Sequence, residues 1–211
     1  MLVSIAGATS RAGKTALAEA ALRAAGAGHA RAVKFTTTED VFERCPRGTP
    51  CLVCDIDVPF RLVTDSRTLD QPGTDTARLR LAGARDVTWA IAKRAAVGAA
   101  WRAVLARLAA EGPAASVVME GSTIVDEARP DLLFFVVHPF LSPERWKPGA
   151  APLMARADVL VVNRPSRELR APAEEVMLAV RAARGDRPIV VADVTRPLEA
   201  WAPELAPRMR Q

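Results

Sequence analysis

Aromatic side chains are scarce in this chain: four Trp, six Phe and no Tyr. They form no stripe interleaved with basic residues. Like charges form no block either, although Lys and Arg number 29 against 24 Asp and Glu. A nucleic-acid face is therefore not expected, and the wealth of Ala and Arg reads as compositional bias. No apolar run approaches the roughly 20 residues that a membrane-crossing helix needs, so no membrane association is expected. The opening Met1-Leu-Val-Ser-Ile-Ala has no basic leader and runs straight into a glycine turn. That is the pattern of a buried first strand rather than a signal peptide, and the expected location is the cytoplasm. Three cysteines confined to ten positions make no disulfide framework in 211 residues.

What is present is a chain that is half hydrophobic, enough to bury one core, and a single domain over residues 1–211 is expected. Apolar runs predict strands at 2–6, 30–35, 87–91, 116–119, 132–137, 159–162 and 189–192. Ala-, Leu- and Glu-rich stretches predict helices at 15–25, 76–83, 95–111, 151–157 and 174–184, with a short Pro-broken helix in the tail after Leu198. The strands at 116–119, 132–137 and 159–162 are almost continuously apolar, as strands covered on both faces are. Strand alternating with helix predicts an α/β fold: a doubly wound, mostly parallel sheet with helices on both faces. Residues 45–73, rich in Pro, Asp, Thr and Cys and without a sustained period, read as a functional insertion.

The segment Gly7-Ala-Thr9-Ser10-Arg11-Ala12-Gly13-Lys14-Thr15 lies directly between a strand and a helix. Backbone N–H groups of such a loop, together with the helix N-terminus at Ala16, cradle phosphates. Lys14 reaches the β/γ oxygens and the Thr15 hydroxyl ligates Mg2+. In the usual count of this P-loop motif the first position is Ala8, with the glycine one step earlier. That offset resembles the phosphate loops of the dethiobiotin synthetase and cobyrinic acid amide synthase-like branch of P-loop proteins. The resemblance implies ATP and Mg2+ as cofactors and a homodimer.

Further residues extend it. Lys34 stands where those proteins hold a lysine over the transferred phosphoryl group. Glu120, in Val117-Val-Met-Glu120-Gly121-Ser122, resembles their Mg2+-holding glutamate. The stretch Pro72-Gly-Thr-Asp75-Thr-Ala-Arg78 is similar to one in the MobB-like GTP-binding proteins of molybdenum cofactor biosynthesis. It suggests Asp75 on metal or water and Arg78 on an anion. Asn163 with Arg164 resembles the base-reading strand end of the branch. Because Arg-Pro-Ser follows Asn163 where guanine-specific sites carry Lys-x-Asp, ATP is favoured over GTP. Trp146-Lys-Pro-Gly149 and the strand beyond it also look like the nucleotide domain of the cyclic diphosphoglycerate synthetases.

Cys45, Cys51 and Cys54 sit in one Pro/Gly loop and can converge on zinc or an iron–sulfur cluster. A fourth ligand would come from Asp55, Asp57, His138, water or a second subunit. Three unrelated thiols or a reversible disulfide explain them as well, and Asp55 or Asp57 is also a candidate Mg2+ ligand. His138, ending an apolar strand at the ligand edge, is a candidate substrate contact. The function these residues imply is a Mg2+-dependent ATP-binding enzyme of cofactor metabolism, coupling hydrolysis to ligase-type activation of a small substrate. The alternative is a nucleotide-switched adaptor or metal-insertion factor carrying its metal on the three cysteines.

Overall fold

The computed structural model describes residues 1–38 and 56–210. The strands are β1 (Leu2–Gly7), β2 (Ala30–Thr38), β3 (Phe60–Val63), β4 (Val87–Lys93), β5 (Ser116–Glu120), β6 (Leu132–Val137), β7 (Val159–Asn163) and β8 (Ile189–Ala192). They form one sheet in the order β3-β4-β2-β5-β1-β6-β7-β8, parallel throughout except for β3, which runs antiparallel to β4 at one edge. The helices are α1 (Lys14–Ala25), α2 (Ser66–Leu69), α3 (Asp75–Leu81), α4 (Val97–Ala110), α5 (Val125–Ala128), α6 (Ala150–Arg156) and α7 (Glu174–Arg184).

The apolar strands are explained by their two covered faces. In β6, Leu132, Phe134 and Val136 enter the core under α1, while Leu133, Phe135 and Val137 enter a second core under α6 and α7. A third cluster joins Val33, Phe35 and Met119 to Trp101 of α4. Side chains alternate across a strand, so a strand covered twice must be apolar at every position. None of the described helices is long and apolar enough to cross a membrane.

Two local expectations change, and a third falls outside the described residues. The segment read as an insertion contains structure: β3 and α2 lie within it, because Phe60-Arg-Leu-Val pairs with β4. A four-residue edge strand is too short to show a period. The cysteine loop, with Cys45, Cys51, Cys54 and Asp55, lies outside the described residues. The tail forms two 3-10 turns, Leu198–Ala200 and Arg208–Arg210, instead of a helix, since prolines at 197, 203 and 207 interrupt any longer ladder.

Candidate functional site

The Gly7–Thr15 loop leaves the carboxyl end of β1, near the middle of the sheet, and Lys14 opens α1. The displaced glycine has a steric reason. A Cβ on Gly7 would stand 2.9 Å from the Val136 carbonyl oxygen and 3.0 Å from Lys14 Cγ. The neighbouring Ala8 methyl is instead buried in the α6–α7 core. Glycine is needed where the loop passes β6, and one residue later a methyl group stabilises the packing. Gly13 has φ 110°, a left-handed conformation that glycine adopts without strain, and a Cβ there would collide with the Asn163 amide.

Beside this loop lies a charged cluster assembled from three elements. Sheet register sets Lys34 of β2 directly against Glu120 of β5. The Lys34 ammonium donates to Glu120 Oε1 at 2.6 Å and to Asp75 Oδ2 at 2.7 Å. The Thr15 hydroxyl donates to Glu120 Oε2 at 3.0 Å. Glu120 is 2% exposed, and these hydrogen bonds offset the cost of burying its carboxylate. Burial alone would lower the Lys34 pKa, but the Glu120 and Asp75 carboxylates outweigh it and hold the pKa above its ordinary value. Burial would raise Asp75; Lys34 reverses this and keeps it below the usual carboxylate range. Lys34 is not at the end of its strand, as the sequence suggests, because β2 continues to Thr38 along β4.

Lys14 differs in having no carboxylate hydrogen-bonded to it among the described residues. Its ammonium donates to the Thr9 carbonyl at 2.9 Å, and burial followed by repulsion from Lys147 brings its pKa down to about 8. The Thr9 hydroxyl is buried without a hydrogen-bond partner among the described residues. Gly7 N–H donates to the Ser122 hydroxyl at 3.1 Å, joining the loop to the residue pair after Glu120.

On the other side, Asn163 at the end of β7 donates through Nδ2 to the Ala12 carbonyl at 3.0 Å and accepts through Oδ1 from Val194 N–H at 3.3 Å. The amide thus ties the phosphate loop to the turn after β8. In that turn Asp193 accepts from the N–H and hydroxyl of both Ser166 and Thr195. Burial pushes the Asp193 carboxyl up, yet the Thr195 and Ser166 hydrogen bonds prevail and bring it down to about 2. Arg164 turns to the Leu169 carbonyl.

Other candidates stand outside the cluster. Arg78 donates to Glu19 Oε1 at 2.6 Å, so its charge is already paired. His138 accepts at Nδ1 from Phe140 N–H and packs edge-on against the Phe140 ring. Exposed Asp57 pairs with Arg61 at 3.5 Å. Sequence reasoning passed over Ser122, Asp193 and, as a site residue, Lys147. The Pro-rich loop after β6 was the available signal for Lys147, since loops at strand carboxyl ends line ligand sites in such sheets.

Among solved structures, the chain is similar to HypB from Helicobacter pylori in complex with nickel. The TM-score is 0.54 at 13% identity, covering 99% of this chain and 86% of that one. This is the fold of the P-loop NTPases. At that identity the similarity extends to the fold alone. No protein-family model matches the chain, and no curated protein matches it in sequence. Within the P-loop NTPase fold, the Lys14–Lys34–Glu120 cluster occupies the carboxyl edge of the central strands, where open α/β sheets bind ligands.

Proposed function

We propose that the chain binds a nucleoside triphosphate with Mg2+ on the Gly7–Thr15 loop and transfers or hydrolyses the terminal phosphoryl group. The observation that carries this reading is the convergence of Lys14, Thr15, Lys34, Glu120 and Asp75 beside a loop with a glycine at each close approach. The oxygen donors of Thr15, Glu120 and Asp75 suit Mg2+, and the orphaned Thr9 hydroxyl is a polar group awaiting a partner. Mg2+, when bound, supplies neutralisation of phosphate charge.

The side chains account for the rest by position and charge. Lys14 meets the β/γ oxygens, and the N–H groups from Gly13 to Ala16 face the same phosphates. Lys34 stabilises charge on the phosphoryl group while Glu120 and Asp75 keep it protonated. Asn163 holds the loop to the β8 turn beside the base. In the ligase-type form of the reaction, a substrate carboxylate oxygen attacks the terminal phosphorus and the nucleoside diphosphate leaves, giving an acyl phosphate. No protein nucleophile is required. ATP is the proposed nucleotide, with GTP as the competitor, because Ser166 replaces the acid of the guanine-reading pattern.

Titration calorimetry with Mg2+ and non-hydrolysable triphosphates tests the binding step. Lys14→Ala is expected to weaken affinity by a hundredfold or thereabouts, from loss of a charge-assisted contact and the pocket's complementarity (order of magnitude). Unchanged affinity in that variant would remove the reading. Phosphate release that rises sharply with a small carboxylate or amine identifies the ligase form.

A second reading is favoured by the fold similarity to a nickel-bound protein together with Cys45, Cys51 and Cys54. It makes the protein a nucleotide-switched metal carrier, with a homodimer supplying further ligands. Stoichiometric zinc or an iron–sulfur chromophore after anaerobic purification, lost in Cys51→Ser, would select it.

A further inference from the structure

The loop between β6 and α6 carries a cation that the phosphate site does not yet use. Lys147 N–H donates to the Ala8 carbonyl of the phosphate loop at 2.8 Å, and its own carbonyl accepts from Ala150 N–H at 3.1 Å. Gly149 at φ 80° turns the chain into α6, and the neighbouring Trp146 indole donates to the Leu141 carbonyl at 3.3 Å. The backbone of Lys147 is thus pinned to the phosphate loop on one side and to a helix start on the other.

Its side chain has no such anchor. Among the described residues the ammonium makes no hydrogen bond or ion pair, though it stands near enough to Lys14, Lys34 and Glu120 for their charges to act on one another. Lys147 is exposed to solvent, and the partial desolvation of its ammonium beside the site, then repulsion from Lys34, lowers its pKa. The charges of the site are unevenly matched. Among the described residues, Lys34 holds both carboxylates, Lys14 holds a carbonyl, and the Lys147 ammonium holds neither. Two ammonium groups close together without a carboxylate of their own repel each other, and a multiply charged anion placed between them removes that cost. In sheet order β2-β5-β1-β6, Lys34 and Lys147 come from opposite sides of the strand that feeds the phosphate loop.

We propose that Lys147 is a third phosphate-binding lysine, directed by the β6–α6 loop onto the terminal phosphoryl group of a bound triphosphate. The proposal rests on the nucleotide reading above and adds the residue by which a triphosphate is distinguished from a diphosphate. A cation at that position binds the extra charge of the triphosphate in the ground state and the charge spread over the phosphoryl oxygens during transfer. A merely structural Lys147 would act through its backbone, which side-chain substitution leaves in place.

The test compares the full-length wild type with Lys147→Met and Lys147→Arg. Affinities are measured for Mg2+ with β,γ-imido triphosphates and with diphosphates of adenosine and guanosine. The methionine variant is expected to lose about tenfold or more on the triphosphate analogues, the worth of one charge-assisted contact, with diphosphate affinity held within about twofold. Arginine is expected to restore most of the difference. A triphosphate-to-diphosphate ratio unchanged in Lys147→Met overturns the proposal, as does an equal loss on both nucleotides. Absence of all nucleotide binding in the wild type would instead defeat the nucleotide reading, and this inference with it. An unchanged ratio beside a Lys14→Ala variant that has lost binding defeats the inference alone.

Discussion

The two flanks of the phosphate loop are held by different physics. Toward β2 and β5 the site is a buried charge network in which Lys34, Glu120, Asp75 and Thr15 secure one another through side chains. Toward β7 and β8 it is tied by the Asn163 amide to backbone groups at Ala12 and Val194, and by Asp193 to its neighbouring turns. The first flank lies on central strands and the second at a sheet edge, where Val191 is 45% exposed. Burial makes an ion network costly to break, whereas at the edge water can replace what a mutation removes. The phosphate flank should therefore be the more brittle.

The largest expected effect follows from removing Glu120. Glu120→Ala leaves Lys34 buried with Asp75 as its remaining carboxylate, and a loss of about 3 kcal/mol in urea unfolding is expected. A loss no larger than that of Asn163→Ala would show that the phosphate flank is not the more brittle. Asn163→Ala should cost less, about 1–2 kcal/mol, since it deletes two hydrogen bonds near solvent. It should also weaken nucleotide binding by loosening the loop at Ala12.

Acidity gives a further contrast. Lys14, lowered from 10.5 to about 8, is charged below pH 8 in the free protein, so phosphate affinity should be flat there. Above pH 8 a proton must be taken up with the anion, and affinity should fall by up to about tenfold per unit. For folding the sign is opposite: the buried charge destabilises below pH 8, and that cost fades as pH rises from 8 toward 10.5. Lys14→Arg should flatten the affinity profile, because a guanidinium does not titrate in this range; calorimetry at pH 7, 8 and 9 checks it.

The smallest effect belongs to Asp193. Its carboxyl, lowered from 3.8 to about 2, contributes stability above pH 4 that is lost as pH falls toward 2. After discounting for solvent screening, that contribution is on the order of 1 kcal/mol. Thermal unfolding of Asp193→Asn between pH 2 and 5 should lack that part of the acid dependence.

Legibility differed between the flanks for related reasons. Gly7, Lys14, Thr15 and Glu120 were readable because strand, loop and helix occur consecutively and an acid at the end of an apolar strand stands out. Lys34 and Asp75 could be named, but their mutual contact could not. It joins residues 41 positions apart through the packing of α3 beside β2. Arg78 was read as an anion ligand because the sequence does not reveal Glu19 across the α1–α3 contact. The tail after Leu198 was read as a short, Pro-broken helix, and its prolines leave two 3-10 turns instead. Strand β3 was invisible because four residues at an edge carry no usable alternation.

The order of apolar runs and the strand-loop-helix at Gly7–Thr15 were sufficient by themselves to establish the parallel α/β architecture and the candidate phosphate loop. Both depend on residues near one another in the chain, where period and steric demand are local. Tertiary structure decided which cations have partners. Lys34 is neutralised by two carboxylates from separate elements, and Lys147 reaches the phosphate loop only because β6 lies beside β1. Charge pairing depends on distance in space, and the sheet order that sets those distances is a property of the packed core.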